Sequence, residues 1–145
     1  MKVNMNQTGT SQKAIIINKE GEILTLFRTE TAPTRPSTWD LPGGDLDFGE
    51  DAQEGMVMEI KEETGLKVRE LRPFDIEAKI NPDGDYWITI AYLAYALDGE
   101  VTLSSEHNKF MWVSISKFLE INTSSRAERF IRNLLEITPK PHIKE

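Results

Sequence analysis

Between Asp51 and Gly65 the chain specifies both ends of one helix, and the remaining segments have to be arranged around it. Asp51 carries a short carboxylate able to accept from an orphan N–H of a first helical turn, and Glu54, three residues on, completes a capping box. Gly65 can take the left-handed conformation that closes a helix, and Leu66 supplies the apolar contact that accompanies such an end. The spacing predicts a helix from Asp51 to Thr64. Within it Glu59, Glu62 and Glu63 stand at i, i+3 and i+4, which gathers three carboxylates on one side of the rod. Like charges so placed repel, and the arrangement becomes favourable when a hard divalent cation sits among the oxygens. Val57, Ile60 and Thr64 fall on the other side, where they are expected to face a core.

A run such as Glu-Ile-Lys-Glu-Glu is ordinarily the solvated face of an amphipathic helix. The wider register argues for more. Gly44 is followed after five residues by Glu50, and after eight more by Glu59-Ile60-x-Glu62-Glu63-x-Gly65-Leu66. At ordinary Gly and Glu usage, six such fixed positions coincide about once in 10⁷ starts. The register resembles the Nudix box of the Nudix hydrolases, and Trp39-Asp-Leu-Pro-Gly-Gly44 is similar to that family's approach to the box. The resemblance implies an α/β fold, an α/β/α sandwich with a central mixed sheet. It also implies Mg²⁺, with Mn²⁺ as an alternative, held by Glu59, Glu62, Glu63 and the Gly44 carbonyl against a nucleoside diphosphate linked to another group. One position departs. The family carries an arginine before the first helix glutamate, paired with the earlier glutamate; here Met58 stands there and Glu50 lacks that partner.

The formal charge of −7 argues against a large basic surface for nucleic acid. Between Asp40 and Glu63 Lys61 is the one basic residue, so a polyphosphate could approach this stretch only with a cation screening it. With no cysteine, thiol catalysis and cysteine-bound zinc are excluded, and a reducing compartment fits. Met1–Gln12 lacks the apolar core of a secretory signal, and Ala14–Ile17 is far too short to span a bilayer. The expectation is a cytoplasmic protein without a membrane segment, one domain over residues 13–138, a mobile start over 1–12 and a loose tail over 139–145.

Along the chain, Lys13–Asn18 reads as a buried strand, Asn18–Glu22 as a hairpin turn and Ile23–Arg28 as the return strand. Arg28 ends it where the resemblance places a basic residue against substrate phosphates. Thr29–Thr38, with Pro33 and Pro36, is a loop that can wall the substrate. Trp39, with Phe27, Tyr86 and Trp87, is a candidate base-stacking residue, although aromatic residues at strand positions more often serve the core. Lys67–Ile80 holds one or two strands interrupted at Pro73, and Tyr86–Leu97 is the strongest strand signal, placed near the sheet's centre. A short Val101–Leu103 segment follows.

Glu106-His107 ahead of Trp112-Val113 resembles a family passage whose glutamate serves as a further metal ligand or general base. Glu106 takes that role, and His107 is assigned to structure or surface. Ser116 is expected to cap a helix over Lys117–Ile121, and Ser124 or Ser125 one over Arg126–Ile137 with Phe130, Ile131, Leu134 and Leu135 facing the core. The catalytic set is then Glu59, Glu62, Glu63 and Glu106, with Arg28 and Trp39 at the substrate. The reaction is metal-assisted hydrolysis of a phosphoanhydride. Met58 keeps a second reading open, a nucleotide-binding or regulatory module on the same fold; an isomerase on that fold is a third. The sequence leaves the linked group and the oligomeric state open, a homodimer included.

Overall fold

The computed structural model describes residues 6–137. Its elements are β1 (Thr8–Ile17), β2 (Ile23–Arg28), β3 (Trp39–Asp40), β4 (Gly43–Asp45), α1 (Ala52–Thr64), β5 (Val68–Ile80), β6 (Tyr86–Ala96), β7 (His107–Val113), α2 (Ile115–Phe118) and α3 (Ser125–Ile137). The seven strands form one mixed sheet in the order β3-β2-β1-β6-β5, with β4 added on β1 and β7 on β2. β1 runs parallel to β6 from Thr8 against Tyr86 to Ile17 against Tyr95; the other pairings are antiparallel.

Alternation along β1 feeds two cores. Ile15 packs with Ile23, Phe118, Phe130, Ile131 and Leu134 on the α2 and α3 side. Ala14 and Ile16 point the other way, into Leu24, Leu26, Met56, Ile60, Leu66 and Tyr92 beneath α1. A strand buried on both faces reads as the continuous apolar run Ala14-Ile-Ile-Ile17 rather than as an alternating one. Helices on both faces of a mixed sheet make the expected α/β/α sandwich.

The helix boundaries fall where the caps place them. Asp51 is extended and its Oδ2 accepts from the Glu54 N–H at 3.0 Å, while Gly65 is left-handed at φ 73° and its N–H bonds to the Lys61 carbonyl. The expected core face needs correction. Val57 is exposed and Met56 takes its place at 0% exposure. At 100° per residue, Glu63 lies about 20° from Met56 on the helical wheel. Glu63 therefore belongs to the buried stripe with Met56, Ile60 and Thr64 rather than to a solvated acidic face, and it is 5% exposed.

Several other expectations shift. β1 begins at Thr8, five residues before the expected Lys13, so the start foreseen as mobile through residue 12 is strand from Thr8; residues 1–5 and the tail 139–145 lie outside the described residues. Lys67–Ile80 forms a single strand with register shifts at Arg69/Arg72 and Pro73/Asp75, which an edge strand tolerates. Val101–Leu103 forms no strand, although the Thr102 N–H bonds to the Thr64 carbonyl and fastens that segment to the end of α1. α2 begins earlier than expected and is capped by Ser114, and Ser124 is the residue that caps α3. Leu135 is half exposed, and Ala127 completes the buried stripe of α3 in its place.

Candidate active site

The site forms where α1, the start of β4 and the start of β7 meet. Pro42 leads into Gly43, whose Cα passes so close to β1 that a Cβ there would fall 2.0 Å from the Gln12 carbonyl oxygen. That approach presents the Gly43 N–H to Glu63 Oε1, which accepts it at 2.8 Å. Next to it Gly44 lies against Glu59, and a Cβ would meet Glu59 Oε1 at 2.6 Å. The glycine pair thus brings the β4 backbone directly onto two carboxylates of α1.

Glu63, Glu106 and His107 each offer a ligand atom within 4.8 Å of the others. Glu59 borders this group and is half-buried, and Glu62 is exposed three residues on, its charge acting on Glu59. One helix glutamate, one loop glutamate and one histidine thus meet there, with Glu59 and Glu62 on the same turn of α1 as Glu63. His107, assigned from sequence to structure or surface, is buried beside the acids, and its Nδ1 is buried without a hydrogen-bond partner. No separate sequence signal marked it beyond its place next to Glu106.

Burial pushes the Glu63 carboxyl up to about 8, against the opposing pull of the Gly43 N–H and Lys13. Glu59 is also raised, first by burial and then by Glu62, Glu106 and Glu50. Burial lowers His107, and the nearby Arg28 and Lys13 charges lower it further. Carboxylates pushed toward protonation by burial and mutual repulsion are an environment short of positive charge. The donor set fits a divalent cation: carboxylate oxygens from two elements, a buried partnerless imidazole nitrogen and a glycine turn closed against the acids.

A basic counterpart comes from outside the Asp40–Glu63 stretch. Asp40 is buried, and its Oδ2 receives Lys13 Nζ and Arg35 Nη2, each at 2.9 Å, with Arg28 Nη1 at 4.0 Å. Burial alone would raise this carboxyl, but Lys13 and Arg35 outweigh it and hold it below its ordinary range. Arg28 also donates through Nε to the Thr34 carbonyl at 2.8 Å, tying the Thr29–Thr38 loop to β2. Arg35 and Ser37 in that loop carry positive φ values of 45° and 57°, a backbone strain that a surrounding anchor must hold. Trp39 is half-buried, edge-on to Phe27 at 4.9 Å. Neither Lys13 nor Arg35 was marked by sequence, because their grouping depends on Asp40 lying between β1 and the loop.

Glu50 has found other support in place of the missing arginine. Its Oε1 accepts from the Asp47 N–H at 3.0 Å, and its carboxyl lies over Gly55, where a Cβ would fall 2.9 Å from the carboxyl carbon. Met58 is exposed. Gly55→Ala should add about 0.5–1 kcal/mol to helix stability while displacing Glu50 from its seat near Glu59. The expected result is an unchanged or higher melting temperature with several-fold weaker Mg²⁺ binding by calorimetry. Unchanged binding would remove Glu50 from the site. A recess of about 540 Å³ between the start of α1 and β5–β6, lined by Pro73, Phe74, Ile76, Ile90 and Tyr92 with Gln53 and Asp75, is of a size to hold a small organic group.

The NUDIX domain model matches residues 8–134, which covers both cores and every residue of this site. The chain belongs to the NUDIX family. It is a Nudix hydrolase of the pyrophosphohydrolase kind. The nucleoside triphosphatase NudI of Escherichia coli O139:H28 is 26% identical over 132 residues, covering 83% of this chain and 94% of the relative. The crystal structure of a MutT protein from Methanosarcina mazei Go1 superposes with a TM-score of 0.79 at 32% identity, covering 95% of this chain and all of that one. The NUDIX domain of Shewanella oneidensis NrtR, solved with ADP ribose, shares the fold at 15% identity and a TM-score of 0.74, with 92% of this chain and 89% of that one covered. Among the described residues no helix is long and apolar enough to cross a membrane.

Proposed function

We propose that this Nudix hydrolase cleaves a phosphoanhydride bond of a nucleoside diphosphate linked to a further group, with nucleoside triphosphates as its first substrates and Mg²⁺ as its cation. The observation that carries the reading is the joining of two opposite environments: the acid group of Glu59, Glu63 and Glu106, and the Lys13, Arg28 and Arg35 cations around Asp40. The likeness to a nucleoside triphosphatase supports the choice of first substrate.

Glu59, Glu62 and Glu63, with the Gly44 backbone, would hold the cation. When bound, it would neutralise phosphate charge and lower the pKa of the attacking water. Lys13 and Arg28 attract the polyphosphate and orient it against the acids. Glu106, exposed at the mouth of the site, accepts the water's proton as the new P–O bond forms and the bridging P–O bond breaks. Trp39 flanks the substrate beside the strained loop.

The test is a panel of nucleoside triphosphates, dinucleoside polyphosphates and sugar nucleotides with Mg²⁺, read for phosphate, pyrophosphate and nucleotide products. Nucleoside triphosphates should yield monophosphate and pyrophosphate, and a chelator should stop the reaction. Tight binding with no product from any member would favour a regulatory module instead, the reading that Met58 leaves available.

A further inference from the structure

We propose that His107 is a nitrogen ligand of the metal centre, completing with Glu63 and Glu106 a mixed carboxylate–imidazole site that takes transition-metal cations such as Co²⁺ as well as Mg²⁺. The inference rests on the metal-assisted reading above and adds a donor that the box register does not contain.

Three observations lead to it. The first is separation. The ligand atoms of Glu63, Glu106 and His107 lie within 4.8 Å of one another, yet no hydrogen bond joins the imidazole to either carboxylate among the described residues. Donors sharing one cation at bond lengths near 2.1 Å stand about 3 to 4 Å apart, a separation that this limit admits, and with no hydrogen bond between the groups the place of an ion is not taken. The second is burial. His107 is 5% exposed and its Nδ1 is both buried and partnerless, a costly state for a polar atom unless something is to be bound. The third is backbone design. β7 pairs with β2 regularly from Val113 back to Lys109 opposite Phe27, and then His107, not Asn108, stands opposite Arg28. The extra residue is a β-bulge, a device that re-aims a side chain. Asn108 and Lys109 on either side of the shift are exposed while His107 turns inward.

The carboxylate geometry agrees. Glu63 spends Oε1 on the Gly43 N–H, leaving Oε2 free, and Glu106 is anchored through its carbonyl to the Thr29 N–H at 3.3 Å with its side chain unbonded. Each residue thus offers one donor. Two hard oxygens with one imidazole favour Co²⁺ over Mg²⁺ more than an all-oxygen site does.

The experiment uses the full chain, freed of metal by chelation and titrated with Co²⁺ alone. Proton NMR of the Co²⁺ complex should show a solvent-exchangeable imidazole N–H shifted far outside the diamagnetic range. The resonance should persist in His142→Asn, which replaces the chain's other histidine, and vanish in His107→Gln. His107→Gln should also weaken Co²⁺ binding about 10- to 100-fold with Mg²⁺ binding changed less than about threefold. Co²⁺ bound with no shifted imidazole signal in the wild-type chain overturns the histidine's role and leaves the carboxylate site standing. That spectrum decides the matter even if His107→Gln fails to fold. No binding of Co²⁺ or Mg²⁺ overturns both this inference and the metal-assisted reading.

Discussion

Glu63→Gln is expected to lower turnover at saturating Mg²⁺ by at least about a hundredfold while leaving a protein that folds as well as the wild type. The amide oxygen can still accept the Gly43 N–H that Glu63 Oε1 takes at 2.8 Å, so the closure of the glycine turn survives. What disappears is the one buried carboxyl at the centre of the site, the group that can give up its proton to a cation. Full activity in this variant would remove Glu63 from the reaction. A second readout follows from its titration. The carboxyl has an ordinary value of 4.5 and sits at about 8 in the folded, metal-free chain. Between those values the folded state keeps a proton that the unfolded state has shed, so stability falls as pH rises through that window. The contribution is fully present below about pH 4.5 and gone above about 8, a loss on the order of a few kcal/mol. In Glu63→Gln the decline should flatten. In the wild type Mg²⁺ should offset it, because the cation replaces the proton. Melting temperatures from pH 5 to 9, with chelator and with Mg²⁺, give the answer; an identical slope in wild type and variant would mean that another group titrates.

Asp40→Ala is expected to destabilise the fold by about 3–5 kcal/mol. Lys13 and Arg35 both reach Asp40 Oδ2 at 2.9 Å, and Lys13 is largely buried, so removing the carboxylate leaves an uncompensated charge under the sheet. The Leu41 N–H loses its 2.8 Å acceptor as well. Urea unfolding at neutral pH should show a lower midpoint with little change in slope. Asp40 titrates below its ordinary value, so its contribution is present above about pH 4 and lost as pH falls through its folded value. The variant should therefore also lose part of the acid sensitivity of the wild type. A penalty under about 1 kcal/mol would show that Lys13 and Arg35 reach solvent without the carboxylate.

What could be read from the chain depends on how local its cause is. The ends of α1 were legible because a cap is decided within a few residues, and Asp51 and Gly65 do what their chemistry allows. The box register likewise placed Gly44 against Glu59 and Glu63 beside Gly43. The first turns of β1 were not legible. Ser11 and Gln12 look like loop residues, yet both are buried, satisfied by Thr89 Oγ1 and the Tyr92 hydroxyl, each at 2.7 Å and 78 and 80 positions away. Val57 was placed in the core on helical phase alone, and a phase shift of one residue gave its position to Met56. His107 was undervalued because the bulge that turns it inward depends on pairing with a distant strand. Lys13 and Arg35 escaped notice for the same reason: Asp40 gathers them from β1 and a loop.

The ten-pair parallel seam between β1 and β6 also sets an order of events. Lys13 belongs to a strand whose long neighbour is synthesised only after some eighty further residues, so a ribosome must release most of the polypeptide before the two can zip together. Closing so wide a loop is slow relative to winding α1. The cations around Asp40 and the rod α1 all lie within the first 64 residues and can form early in a nascent chain, whereas Glu106 and His107 reach Glu63 only late, which holds completion of the pocket back until most of the molecule has assembled.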